Sequence, residues 1–312
     1  MNSLPFSAQH HGAARLTHLG VIRAAGADAA AFLQNQLTQD VAHMPVGTSR
    51  LAAWCNPKGR MLASFWVHRR GADELLLLLS RDLLAPTLKR LNQFVLRARL
   101  KLTDASAEFT IHGLLCDAMS FGTYDLCLAI VSGGQKNAQS LRLNLPPSGG
   151  VSRALWLAPA GAPESACPPL SEADWLLAEV RGGIARITQP VAEAFVPQML
   201  NYESVGGVDF KKGCYPGQEV VAGSQFRGAI KRRAFVGQVQ GAAQAGQEVF
   251  DAADPAQPVG LIAQAAPARD GSTAVIVSIQ LQAQASAGLH IGTPDGPPLS
   301  DLHMPYPLLE DI

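Results

Sequence analysis

The strongest apolar run in the chain is Leu75 to Leu79, five leucines between Glu74 and Ser80. A run of that length fits a buried strand and is too short to cross a bilayer. Upstream, Leu16, Leu19, Val21 and Ile22 mark a strand and turn over residues 13–26, closed by Gly26. After Asp28, whose charge suits a helix N-terminus, Phe32, Leu33, Leu37 and Val41 recur at helical spacing. Leu51 to Trp54, the turn residues Asn56-Pro57-Lys58-Gly59 and Met61 to His68 predict a hairpin, with residues 73–80 as a third strand. Ser80 is placed to cap a helix carrying Leu84, Leu88, Leu91 and Val95, and the alternation of leucine and basic residues from Leu96 to Leu102 predicts an edge strand. The succession of three strands, a helix and a strand describes a compact α+β lobe.

Farther along, Phe109 to Leu114 and Tyr124 to Val131 are strand-like. Residues 132–150, with Gly133-Gly134 and Pro146-Pro147-Ser148-Gly149-Gly150, read as loop, and Pro159 to Pro169 as a surface connection. Ser171 is an N-cap, with Glu172 and Asp174 in the first turn of a helix that carries Trp175, Leu176 and Val180 and stops at Gly182-Gly183. From Ala234 to Gln282 the pattern changes to short strands, Phe235–Val239, Pro258–Ile262 and Thr273–Val277, separated by Gly, Asp and Pro. That rhythm predicts a small β-barrel or sandwich, with its boundary near residue 230.

The 312 residues suffice for two or three domains, and 25 basic against 25 acidic residues give no net charge. No nucleic-acid or membrane partner is therefore expected, a local basic patch aside. Five cysteines, odd in number and without a C-x-x-C pair, argue against a disulfide framework or a zinc site and for a reducing compartment. Met1 to Thr17 has neither a signal-peptide core nor the character of a transit peptide, so a soluble cytoplasmic protein is expected. There is no G-x-S-x-G elbow, Walker A loop, G-x-G-x-x-G or H-E-x-x-H, and no metal ligands are assigned among the histidines.

The one stretch that gathers chemistry is Lys211-Lys212-Gly213-Cys214-Tyr215-Pro216-Gly217-Gln218-Glu219-Val220-Val221-Ala222. Two lysines before a cysteine favour its thiolate, and the glycines on either side allow close approach of backbone or ligand. Cys214 is the candidate reactive thiol; the alternative is a small buried cysteine in a turn. The Lys231-Arg232-Arg233 run is either part of an anion contact or a solvated linker.

Lys212 to Glu219 matches in full the signature K-G-C-[YF]-x-G-Q-E and resembles the YgfZ family of folate-binding proteins, with the mitochondrial Fe–S assembly factors related to it. Phe195-Val196-Pro197-Gln198-Met199-Leu200-Asn201, Phe32 to Val41 and Cys55-Asn56-Pro57-Lys58-Gly59-Arg60-Met61 look like three further blocks of that family in matching order. The resemblance implies the fold of the aminomethyltransferase (T-protein) of the glycine cleavage system: two α+β lobes and a small C-terminal β-barrel in a three-domain ring around a folate site. The implied domains are 1–50 with 105–228, which carries the motif, a ferredoxin-like insert over 51–104, and a barrel over 229–312. It further implies tetrahydrofolate or another reduced folate as cofactor, contacts from Arg181, Gln198, Lys211 and Arg227, and transient Fe–S client or assembly proteins as partners.

T-proteins carry an acidic pair shortly after the Asn-x-x-Gly turn. The equivalent positions here are Ala63 and Ser64, and a second folate-contacting carboxylate falls at Arg181. After Ala222 many YgfZ members continue with Arg, where this chain has Gly223, before Phe226-Arg227-Gly228 and Lys231-Arg232 restore the pattern. The implied function is a folate-binding accessory factor for Fe–S cluster assembly or repair working through Cys214. The alternatives are a folate-dependent one-carbon transferase and a client-binding module in which Cys214 is structural.

Overall fold

The computed structural model describes residues 11–117, 140–165, 167–226 and 230–309. In chain order the elements are β1 (Gly12–Arg15), β2 (Leu19–Ala25), α1 (Ala29–Gln34), β3 (Ser49–Cys55), β4 (Met61–Gly71), β5 (Glu74–Ser80), α2 (Arg81–Val95) and β6 (Lys101–Asp104). There follow β7 (Phe109–Asp117), β8 (Leu141–Ser148), β9 (Val151–Pro159), β10 (Pro169–Leu170), α3 (Glu172–Arg181) and α4 (Gln218–Phe226). The C-terminal strands are β11 (Arg232–Val239), β12 (Glu248–Asp251), β13 (Asp254–Pro267), β14 (Thr273–Gln280), β15 (Leu289–Ile291) and β16 (Leu299–His303). The fold is mixed α+β with three sheets, ordered β10-β1-β7-β9-β8, β3-β4-β5-β2-β6 and β15-β12-β13-β14-β11-β16. Among the described residues no helix is long and apolar enough to cross a membrane.

The leucine run is buried on both faces. Leu75, Leu77 and Leu79 enter a core shared with α1, α2 and residues 184–221, while Leu76 and Leu78 enter a second core shared with β7, β8, β9 and Trp175. Side chains of a strand alternate between faces, so an unbroken apolar run is the signature of a strand covered on both sides. β2 pairs with β5 over Leu19 to Ala25 and lies between β5 and β6, so residues 51–104 do not close a sheet by themselves. The chain leaves the first sheet after β1 and returns to it at β7, whose Gly113 faces Ala14.

Several elements differ from expectation. The helix after Asp28 ends at Gln34; Leu37 and Val41 are buried beyond it, and Leu37 bridges Trp54. The Gln34 side chain accepts from the Val41 and Ala42 amides, at 2.8 and 3.1 Å, and so bends the chain back toward the helix end. Ser80 occupies the N-cap of α2 without capping it, because its hydroxyl accepts instead from Arg186 Nη1 at 2.8 Å. Leu96 is an exposed C-cap rather than the start of a strand, and the edge strand begins at Lys101. Leu141–Ser148, expected as loop, is the edge strand β8, with Pro146-Pro147 at a register shift, where missing amides break no ladder. The Tyr124 to Val131 expectation lies outside the described residues.

Ser171 caps α3 through a reciprocal box with Asp174, and the helix stops at Gly182-Gly183 as expected. The C-terminal strands form a half-barrel sheet with β15 and β16 at opposite edges, linked at one end by the bridge His290–Pro298 and by the Ile291 amide donating to the Pro297 carbonyl at 2.9 Å. The segment after β16 returns to α3, where Tyr306 donates to the Gly183 carbonyl at 2.8 Å.

The motif is docked by backbone on backbone. Gly217 (φ +81°) lies against the Asn56–Gly59 turn, and a Cβ there would stand 2.5 Å from the Asn56 carbonyl oxygen and 2.7 Å from the Gly59 Cα. Gly217→Ala is expected to cost about 2–3 kcal/mol in chemical denaturation, from left-handed strain plus the collision. Gly213→Ala, with nothing within 4 Å of the new methyl, is expected to change stability by less than about 0.5 kcal/mol. Equal losses for the two variants would refute the docking account.

Candidate functional site

The four sequence blocks meet in one place. The turn between β3 and β4 is closed by the Asn56 side chain, which accepts from the Lys58 and Arg60 amides at 2.9 and 3.0 Å. Met61 bonds to the Phe195 block through its amide to the Phe195 carbonyl at 2.8 Å and through its carbonyl from the Glu193 amide at 2.8 Å. Gln198 is buried and donates to the Val221 carbonyl of α4 at 2.6 Å. Thr38, from the block after α1, donates to the Gly207 carbonyl at 2.6 Å and accepts from the Ala53 amide at 2.9 Å. Gln198 thus ties the Phe195 block to the motif helix instead of facing open space.

Within the motif the residues divide into anchors and presented groups. Lys212 is buried, donates to the carbonyls of Gln34 and Leu37 at the end of α1, and places Nζ 5.0 Å from the Tyr215 ring centroid. A cation suits the negative end of a helix, and burial pulls this ammonium down to a pKa of about 8. Tyr215 is buried, and burial pushes its phenol up. Gly217 is the docking contact. By contrast Lys211, Gly213, Cys214 and Glu219 are exposed. Of the two lysines before the cysteine, Lys211 alone keeps its side chain at the surface. Cys55, across the turn, is buried, and burial pushes its thiol up to about 12, so it stays protonated.

Two of the other assigned residues lie apart or out of view. Arg181 is half-buried in the last turn of α3, where burial lowers its pKa and Asp270 opposes that shift. Arg227 lies outside the described residues.

The sequence reading missed a charged cluster behind the motif lobe. A narrow cavity of about 30 Å³ between the first two sheets is lined by Ser64, Trp66, Arg153, Glu179, Arg186 and Tyr202, among others. Arg186 donates to Glu179 Oε2 at 3.3 Å, and Gln264 donates to the same oxygen at 2.8 Å. Burial raises the Glu179 pKa, but Arg186, His18 and Arg153 more than offset it, so the carboxylate is held ionised. Arg153 packs its guanidinium 5.9 Å from the Trp175 ring, and burial pulls its pKa down to about 10. Ser64, at one of the positions matching the T-protein acidic pair, accepts from the Ile187 amide at 2.9 Å.

Arg186 also lines an open groove of about 600 Å³ with His18, Arg81, Thr188, Gln244 and Gln264, where the half-barrel meets the other two sheets. A sequence signal for this cluster did exist. Arg153 occupies an inward position in the alternation Val151, Leu155, Leu157, and Glu179 lies one turn after the buried Trp175.

The description GCVT N-terminal domain matches residues 8–115. A tRNA-modifying protein YgfZ from Serratia proteamaculans is 26% identical over 302 residues, 92% of this chain and 89% of the relative. Another from Photorhabdus laumondii is 30% identical over 225 residues, covering 68% of this chain and 66% of the relative. The crystal structure of the glycine cleavage system aminomethyltransferase T from Bartonella henselae superposes with a TM-score of 0.70 at 12% identity, over 94% of this chain and 85% of that one. With the signature complete and its four blocks packed together, the chain belongs to the YgfZ family and has the aminomethyltransferase T fold.

Proposed function

We propose that this protein is a cytoplasmic, tetrahydrofolate-binding accessory factor in the assembly or repair of Fe–S clusters, with Cys214 as its working thiol. The observation that carries the reading is the division inside the motif: Lys212, Tyr215 and Gly217 are anchors, and the thiol they hold is exposed. A cysteine kept only for packing belongs with the anchors. A thiolate suits soft metal ions and clusters, and a single one needs further ligands from a partner. The relatives are named for tRNA modification, so the client in this reading is an enzyme of that process.

The polar groups that line this narrow cavity, where Arg186 joins it to the groove, complement the edge of a reduced pterin. That edge offers adjacent N–H donors and an oxo acceptor, which an ionised carboxylate and guanidiniums complement, here Glu179 with Arg153 and Arg186. The groove beyond Arg186, with Arg81 on its wall, suits the anionic glutamate tail. The three lobes then surround the folate as a ring. Bound folate would supply one-carbon chemistry; the residues present bind and orient it.

The transferase alternative needs a carboxylic acid able to trade a proton beside the folate. Glu179 is the carboxylate in the cavity, but its ion pairs hold it ionised, and Ala63 and Ser64 carry no charge. The accessory role is therefore favoured over catalysis.

Calorimetry with tetrahydrofolate is expected to show binding that weakens with added salt, because the glutamate tail is anionic. Glu179→Gln should lose about tenfold in affinity, the worth of a charge-assisted hydrogen bond, with a melting curve confirming a folded variant. Absence of heat at millimolar ligand removes the folate reading.

Cys214→Ala is expected to lose less than about 1 kcal/mol of stability, since an exposed side chain contributes little packing, and to keep folate binding. It should abolish complementation of a strain lacking the native factor, scored by the activity of a 4Fe–4S enzyme. Ala variants of Cys55, Cys116, Cys127 and Cys167 should complement, Cys127 lying outside the described residues. Full complementation by Cys214→Ala would remove the thiol from the mechanism.

A further inference from the structure

The turn on which the motif docks and the groove beside it carry a set of cations that form no ion pair among the described residues. Lys58 belongs to the turn on which Gly217 docks, and Gly59 beside it packs against Val220 of α4. Arg60, next in the chain, donates to the Ala194 carbonyl at 2.7 Å and lies near enough to Arg232 to act on its charge. Lys231 and Arg232 line an open groove of about 550 Å³ with Ile230, Gln280, Leu281 and Gln282. Lys211 is exposed three residues before Cys214. None of Lys58, Arg60, Lys211, Lys231 and Arg232 is in an ion pair among the described residues, although the chain as a whole is neutral. The acids nearest the motif in sequence are Asp209, whose carboxylate accepts from the Lys211 amide at 2.8 Å, and Glu219.

Cations brought together from residues 58–60, 211 and 231–232, and left without ion-pair partners, repel one another unless an anion comes between them. We propose that this face, running from the groove at Lys231 and Arg232 past Arg60 and Lys58 to Cys214, docks the phosphodiester backbone of an RNA. An acidic protein is the competing partner, and the composition of the face decides against it. Protein interfaces rest on buried aromatic and large apolar anchors, and the exposed large apolar residues here are Val220 and Leu281 alone among those described. Backbone recognition of RNA needs only spaced cations and amide donors, which Lys58, Arg60, Lys231, Arg232, Gln280 and Gln282 supply. The proposal goes beyond the folate reading and rests on it only in taking Cys214 as a presented group.

The test is fluorescence anisotropy of the full chain with a labelled tRNA transcript and a labelled single-stranded RNA over a series of salt concentrations. Wild-type protein is expected to bind at low salt, with log affinity falling linearly in log salt. Lys58→Glu combined with Arg232→Glu should lower affinity about tenfold or more and reduce the salt slope by about 1.5, since two phosphate contacts are lost. Lys231→Ala, a milder change on the groove rim, should reduce the slope by about 0.7. Bound RNA should slow alkylation of Cys214. Folate calorimetry on the double variant should be unchanged, which both confirms folding and separates this proposal from the folate reading. The proposal is overturned by absence of RNA binding at low salt, by an unaltered slope in both variants, or by a polyglutamate peptide that binds this face more tightly than RNA.

Discussion

β5 must be covered on both sides, and the rest of the molecule is arranged around that requirement. A fully buried leucine is worth about 1.5–3 kcal/mol, so five of them, Leu75 to Leu79, contribute on the order of 10 kcal/mol, comparable with the whole net stability of a domain. No single layer can bury both faces of a sheet. One face is covered by the first sheet and Trp175, the other by α1, α2 and the long segment from Ile184 to Val221. The segment that carries the signature is therefore part of the cover over that strand, which is why so few of its residues are free to do chemistry.

The signature works by holding one group out while pulling the others in. Lys212 completes the end of α1, Tyr215 lies against it, and Gly217 lets two turns meet at backbone distance, a contact no side chain would permit. These contacts reach residues 34, 37 and 56–59, so the thiol is carried by a loop fixed at both ends to a different part of the chain. Lys212, two residues before the cysteine, commits its ammonium to the Gln34 and Leu37 carbonyls.

On the other side of the same sheet, Arg153, Glu179 and Arg186 are charges inside a protein. Ion pairs in such surroundings seldom add net stability over apolar packing, while loss of one partner is expensive. The position of this cluster between the first two sheets and beside the groove is what makes the cavity polar.

Local pattern alone determined the hairpin at residues 51–68, the leucine strand, the capped helix after Ser171 and the strand-rich C-terminal third, because periodicity, turn residues and caps act within a few positions. It also isolated the motif, since Gly, Pro and Cys with flanking lysines are conspicuous at any fold. The place of β2 between β5 and β6, the half-barrel sheet, and the strand β8 through two prolines were decided by pairing with distant residues. So was the sorting of the motif into anchors and a presented thiol: whether Lys212 meets solvent, Cys214 or the end of a helix depends on where residues 34 and 37 come to lie, about 175 positions earlier. Burial is a property of the packed chain, and the charge of Glu179 or Arg153 acquires its meaning only when the sheets close around it.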